Sequence, residues 1–365
     1  MLGFGCRRLP RIDKVPAGID EPEVAGMLRF AINSGINYLD LPYLYDAGQR
    51  ENLSRIIRSA LQNGYRRKIK IACSLPAALI KSGDDIERFV NEQLGLLGTD
   101  ELDFFLLGWL DRQNWPALPA DDIFRRAEAL MSDGRIGALG FSFHDDFQTL
   151  RTILESYDSW TLCQFQYSFM DIDHHPGIGG VNYAADKGLA VVVAEPLKGG
   201  RLTRELPGTI ARMWQNAPGF SPAVWGLRWV WNHAGVSTVV SDMSTLAQVK
   251  ENIALADSAA ADSLSVAEEL LVNRVRDVYR ASKAIPCTAC RGCMPCPLGI
   301  DTPRIFELYN DAVIYQDSEI PRSIYRDEGH HAESCTECGL CVKACGFRVP
   351  ITDWLKKARQ LLADN

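Results

Sequence analysis

Leu102-Asp-Phe-Phe-Leu-Leu107 ends in four apolar residues without a break, and a helix-period segment, Ile123 to Met131, follows before the next apolar run, Ile136 to Phe141. A strand with one wet face alternates apolar and polar residues, so a run apolar throughout suits a strand covered on both faces of a parallel sheet. Val191 to Val193 reads the same way. Working outward, the unit repeats. Toward the N-terminus lie Leu2–Gly5, Asn37–Asp40 and Ile69–Cys73, each followed by apolar residues at helical period: Val24, Met27, Leu28, Ala31 and Ile32, then Leu53, Ile56 and Ile57, then Ile86, Phe89, Val90 and Leu94. Toward the C-terminus come Leu162–Tyr167, Leu189–Ala194 and Val236–Val240. Asp20 and Glu23 are spaced as a capping box, Ser221 and Pro222 as a cap and first-turn proline after a long loop (Pro196 to Phe220), and Leu246, Val249 and Ile253 mark the eighth helix. Eight such units predict an α/β fold, a (β/α)8 TIM barrel.

A length of 365 residues, 47% of them apolar, suits two domains with a sizeable core. The net charge of −7 gives no footprint for nucleic acid or an anionic membrane, and the longest apolar runs fall far short of a membrane span. No secretory leader is recognised, so the expectation is a soluble protein of a reducing, cytoplasmic compartment. Ser265 and Glu268 open a further helix to about Arg280, and Ala281 to Pro286 reads as a joint. The expected domains are a barrel over 1–280 and a mainly helical iron–sulfur domain over 281–365, with helices over Pro303–Ile314 and Trp354–Leu362.

Eight of the eleven cysteines lie in that second domain, as Cys287-x2-Cys290-x2-Cys293-x2-Cys296-Pro297 and Cys335-x2-Cys338-x2-Cys341-x3-Cys345. Disulfides would need an oxidising compartment, and zinc sites built from paired CxxC motifs leave the third cysteine of each run without a place. Two-residue spacing lets three thiolates converge on one cubane while a distant fourth completes it, so eight cysteines make two 4Fe–4S clusters. In the bacterial two-cluster ferredoxins that these runs resemble, the last cysteine of each run serves the other cluster. That resemblance pairs Cys287, Cys290 and Cys293 with Cys345, and Cys335, Cys338 and Cys341 with Cys296. The two-residue closure of the first run and Gly346 after Cys345 depart from the ferredoxin pattern.

The chain as a whole resembles the aldo/keto reductase family, in the branch with a C-terminal ferredoxin-like domain of two clusters. The matching stretches are Leu2-Gly-Phe-Gly-Cys-Arg-Arg-Leu-Pro10, Tyr38-Leu-Asp40 with Tyr45, Gly140-Phe-Ser-Phe-His144, Gln164-Phe-Gln-Tyr167, Glu195-Pro-Leu-Lys-Gly-Gly200, Glu251-Asn252 and Cys290-Arg-Gly-Cys-Met-Pro-Cys-Pro297. The resemblance implies carbonyl reduction by NAD(P)H, with a tyrosine giving the proton and an aspartate, a lysine and a histidine tuning it. Tyr45 and Asp40 fall at two of those positions; Ser74 stands at the lysine position and Gly108 at the histidine position. A tyrosine alone titrates near ~10, so losing the cation and the imidazole is expected to cost ~10²-fold or more in rate. The resemblance puts Ser142 and Gln164 at the nicotinamide amide and Glu251 and Asn252 at the adenine. Asp242 and Gln248 stand where basic residues for a 2′-phosphate are implied, and Ala194 at the ring-stacking position.

Nicotinamide moves hydride, an electron pair, whereas an iron–sulfur cluster passes single electrons. The reading these features carry is an iron–sulfur oxidoreductase acting on a small polar organic compound, fed singly by a redox protein partner. An NAD(P)H-dependent reductase, or a non-enzymatic electron-transfer or docking subunit, are the alternatives. At the barrel mouth Arg7 is either a clamp for a carboxylate or phosphate, or an ion-pair partner. Glu195 is either an acid–base group or a structural acceptor, and Lys198 and Arg201 either cover a ligand or touch the cluster domain. Asp171, Asp173, His174 and His175 match no fixed metal-ligand spacing. Cys6, Cys73 and Cys163 read as buried thiols, with Cys73 aimed out of the lumen by its alternation with Ser74.

Overall fold

The computed structural model describes residues 1–12, 18–173, 176–204, 206–217 and 219–363. The chain divides into two compact units, Met1–Gly199 with Val224–Val266, and Gly200–Ala223 with Ala267–Asn365.

In the first unit eight strands close a barrel: β1 (Leu2–Gly5), β2 (Tyr38–Leu41), β3 (Lys70–Pro76), β4 (Leu102–Leu110), β5 (Ile136–Phe143), β6 (Leu162–Gln166), β7 (Ala190–Ala194) and β8 (Val236–Asp242). Neighbours run parallel, and β8 returns to β1 with Gly5 beside Asp242. Its helices are α1 (Glu21–Asn33), α2 (Ala47–Ala60), α3 (Gly83–Leu97), α4 (Ala120–Ser132), α5 (Phe147–Glu155), α6 (Gly177–Asp186), α8 (Pro222–Trp231) and α9 (Leu246–Ser258). Asp20, Asp46, Asp146 and Thr245 accept a backbone N–H inside the first turn of α1, α2, α5 and α9 at 2.7–3.2 Å, which satisfies donors a helix start leaves open. The (β/α)8 barrel expected from the apolar runs is present, with every expected strand in place.

Tyr38, Ala72, Leu106, Leu162, Val192 and Val240 form a buried cluster that plugs the lumen. Side chains alternate along a strand, so the residue two positions further on faces the same lumen one layer nearer the C-terminal rim. Those residues are Asp40, Ser74, Gly108, Gln164, Ala194 and Asp242, joined by Gly5 and Ser142 on β1 and β5. One apolar layer therefore carries a second layer of polar and small residues, at the end of the barrel where such folds place their sites.

β3 and β4 run furthest past their expected ends, by three residues each. β3 continues to Pro76 and β4 to Leu110, with Pro76 beside Gly108 and a register shift between Leu107 and Leu110. Part of the loop expected over Pro196–Phe220 is helical, α7 (Gly208–Gln215), because Ile210 and Trp214, one turn apart, are both buried.

The second unit holds α7, α10 (Val266–Ala281), α11 (Thr302–Ile314), α12 (Glu319–Asp327), α13 (Leu340–Ala344) and α14 (Ile351–Leu362). Its core includes Ile285, Ile305, Phe306, Tyr325, Leu355 and Leu362. The Asn310 amide exchanges two hydrogen bonds of 2.9 Å with the main chain of Ile285, fixing the strand of chain that leads into Cys287. Arg201 pairs with Asp311 at 2.7 Å and lies over the Tyr315 ring. No described helix is long and apolar enough to cross a membrane.

Candidate functional site

The polar layer floors a small, solvent-open pocket that Asp40, Ser74, Ser142, Gln164 and Ala194 line with Arg7, Trp109, His144 and Glu195. Arg7 leaves the end of β1; its guanidinium meets Glu195 at 3.2 Å and its backbone N–H donates to Asp242 at 3.1 Å. Arg7 is therefore an ion-pair partner of Glu195, with its side chain still 44% exposed. Gly5 leaves room for the Asp242 carboxylate above it; a Cβ there would stand 2.2 Å from that carboxylate and push it aside.

Gln164 donates to Asp40 across 3.4 Å, a long and weak bond. Burial lifts the Asp40 carboxyl to about 6; Arg7 opposes the rise, Asp242 adds to it and the Gln164 bond again opposes. Burial likewise raises Asp242, against the pull of Arg7. Asp40, Asp242 and Glu195 thus gather around Arg7, with Arg8 a weaker positive neighbour of Asp242.

Gly108 has no room for a side chain. A Cβ would sit 2.9 Å from the Leu75 carbonyl oxygen and 3.1 Å from Pro76 Cα, and both are main chain of β3. Trp109, next in line, takes a left-handed backbone (φ 56°), its N–H donating to Ser142 Oγ at 2.7 Å and its carbonyl accepting from Asn114 at 2.8 Å. Glu195 is also left-handed, at φ 49°. Side chains rarely hold that conformation, and such strain gathers at functional sites.

Tyr45 stands outside the pocket lining, 65% exposed, its ring 6.2 Å from that of Trp109. Burial and the neighbouring Tyr43 move its hydroxyl up, away from neutral pH. Ser142 and Gln164 are buried in the floor. Asn252 is buried on α9 and donates to Ser241, Glu251 beside it is exposed, and Gln248 accepts from Ser244 at 2.8 Å. Cys73 lies with Phe89 and Gln93 on the helix side of β3, as alternation requires. Lys198 pairs with Asp171 at 2.8 Å, and Asp171 also accepts from Ser168; His174 and His175 lie outside the described residues. His144 and Trp109 are among the pocket residues to which sequence reasoning gave no role. The signal for His144 was its place just past β5, and for Trp109 the glycine before it.

In the second unit six cysteines, Cys287, Cys293, Cys296, Cys335, Cys341 and Cys345, pack against the core, while Cys290 and Cys338 are exposed. The two runs share a backbone pattern: the second residue after the leading cysteine, Ala289 or Glu337, and the fourth, Arg291 or Gly339, all have φ between 56° and 73°. Each run thus wraps in the same way, and Ala289 N–H donates to Cys287 Sγ at 3.4 Å. Burial pushes the Cys293 thiol up to about 11, reinforced by Cys287, Cys341 and Cys345; Cys287 is raised by burial, then by Cys290 and Cys345. Cys341 is raised by burial, with Cys335 and Cys338 as neighbours. Cys345 therefore lies near the first run. Among the described residues no three such side chains are placed to hold one metal ion, whereas a cubane spreads its thiolates over separate irons. The donor set and the repeated wrap fit a cluster of that kind.

Residues 1–267 match the model of the aldo/keto reductase family, and residues 286–350 that of a 4Fe-4S dicluster domain. The chain belongs to the aldo/keto reductase family, and is an oxidoreductase of that fold with an iron–sulfur domain at its C-terminal end. No curated protein matches it. Among solved structures it is similar to the holo form of aldo-keto reductase AKR11C1 from Bacillus halodurans, at 22% identity and TM-score 0.61 over 75% of this chain and 91% of that one. An aldo-keto reductase from Klebsiella pneumoniae in complex with NADPH gives 21% and 0.61, over 75% and 90%. At these identities the likeness speaks for the fold alone.

Proposed function

We propose that the chain is an iron–sulfur oxidoreductase that acts on a small polar organic compound at the barrel mouth, by a route independent of the tyrosine-centred proton transfer of its family. Two 4Fe–4S clusters, held by Cys287, Cys290, Cys293 and Cys345 and by Cys335, Cys338, Cys341 and Cys296, would supply single-electron chemistry in a reducing, cytoplasmic compartment. The observation that carries the reading is Gly108. The main chain of Leu75 and Pro76 crowds the place where the Cβ of a histidine would stand, so the proton relay implied by family resemblance has lost a member whose return would push on β3. Ser74 brings no charge to Tyr45, whose hydroxyl is raised rather than lowered. A general acid works best with its pKa near the operating pH. Asp40, at about 6, is the better-placed proton holder in the pocket, with Glu195 and His144 beside it.

The residues present also weigh against a 2′-phosphorylated nicotinamide cofactor. Asp242 and Gln248 stand where the family resemblance implies cations for the phosphate, and Ala194 offers no ring to stack. The test is a titration of anaerobic, cluster-replete protein with NADPH and NADH, following cofactor fluorescence and iron–sulfur absorbance together. The expected result is no binding at micromolar cofactor and no bleaching. Micromolar binding would return the chain to nicotinamide-dependent reduction, with Ser142, Gln164, Glu251 and Asn252 as its contacts.

A further inference from the structure

We propose that the exposed turn Leu340–Arg348 docks an acidic, one-electron carrier protein, and that electrons enter the second unit there. Four observations meet on this turn. Cys338, two residues before it, is an exposed member of its cysteine run, and Cys341 and Cys345 lie within it. Leu340 and Phe347 are 53% and 59% exposed, large apolar side chains that the unit's own core does not use. Lys343 and Arg348 are exposed and form no ion pair with any described residue, unlike Lys356, which is paired with Glu337 at 2.7 Å. From Cys335 to Arg359 the chain carries five basic residues (Lys343, Arg348, Lys356, Lys357 and Arg359) against two acidic ones (Glu337 and Asp353), in a protein whose net charge is −7.

An apolar centre with charges around it is the usual build of a binding surface, and unpaired cations select an acidic partner chiefly by speeding encounter. A patch this small suits the brief contacts of electron carriers, which bury little area. The proposal rests on the reading above that this unit receives electrons singly. One electron leaves the reduced carrier and one enters this chain; no bond forms or breaks.

The test uses the full, cluster-replete chain and an acidic plant-type 2Fe–2S ferredoxin. Calorimetry with the oxidised ferredoxin is expected to show binding at low salt that weakens about tenfold or more at 0.5 M salt, and by a similar factor in K343E/R348E with unchanged iron–sulfur absorbance. The milder K343Q/R348Q should give a smaller loss in the same direction, and covers the case in which charge reversal disturbs the fold. Stopped-flow mixing with reduced ferredoxin should show electron transfer slowed in parallel. Unchanged binding and transfer in both variants would overturn the assignment of this face while leaving single-electron supply intact. Binding without transfer to the wild-type chain would sink the single-electron reading itself. Equal binding of basic cytochrome c, of an acidic protein lacking a redox centre, or of a second copy of this chain would overturn the proposed partner.

Discussion

The barrel mouth and the cysteine-rich unit hold their chemistry in opposite ways. In the barrel, the apolar layer of Tyr38, Leu106, Val192 and their neighbours closes the lumen whatever stands above it. The layer above is free to change, and here it carries Ser74, Gly108 and Ala194. In the second unit six of the eight cysteines pack on the very core they would help to complete, so ligands and scaffold cannot drift apart. A fold that separates its skeleton from its site can lose one chemistry and keep its shape. A fold whose ligands are its core keeps both or neither.

The sharpest way to break that contrast is to remove the iron. Chelation under mild denaturant is expected to unfold the second unit, because metal binding free energy there is folding free energy. The barrel should keep its helical circular dichroism. Independent proteolysis of the two units would read the difference; simultaneous loss of both would erase the contrast.

Asp40 sharpens it from the barrel side. Its carboxyl titrates at about 6 when folded against 3.8 as the ordinary value, so the native state binds the proton more tightly and the ionised form is the costly one. Stability contributed at this position is therefore highest below about pH 4 and falls as pH rises to 6. Asp40→Asn, which cannot ionise, should stabilise the barrel by roughly 2–3 kcal/mol at pH 7–8 and by nothing near pH 4. Denaturant midpoints at the two pH values decide it.

A smaller effect is expected at Gly108. Introducing histidine drives a side chain into the main chain of β3 and should destabilise by roughly 1–3 kcal/mol, with no gain in aldehyde reduction, alone or with Ser74→Lys. A gain of tenfold or more in turnover would show that the barrel still holds its ancestral geometry. The smallest expected effect is that of Tyr45→Phe, which should leave stability within about 0.5 kcal/mol, as for other exposed positions, and any turnover of the native substrate unchanged.

The eight strands were legible because unbroken apolar runs such as Phe104–Leu107 have one economical use. The cysteine runs were legible because their tight spacing sets them apart from disulfide and zinc patterns. The pocket was not, for reasons of backbone. Gly108 hints at a close approach, but it does not reveal that β4 shifts register there, or that the next residue, Trp109, takes a left-handed conformation its side chain disfavours. The helices α7 and α12 also went unread; α7 is only eight residues long, and α12 is dominated by polar residues around Pro321 and Tyr325. The pairing of Arg7 with Glu195 joins strands β1 and β7 that lie far apart in the chain, and no local pattern carries it.

The glycine beneath Asp242 links two positions at opposite ends of the barrel's sequence. A side chain at residue 5 would press on the Asp242 carboxylate, which would have to swing away from the Arg7 backbone N–H that it now accepts from. Among descendants of this chain a change at one of the two positions should favour a change at the other.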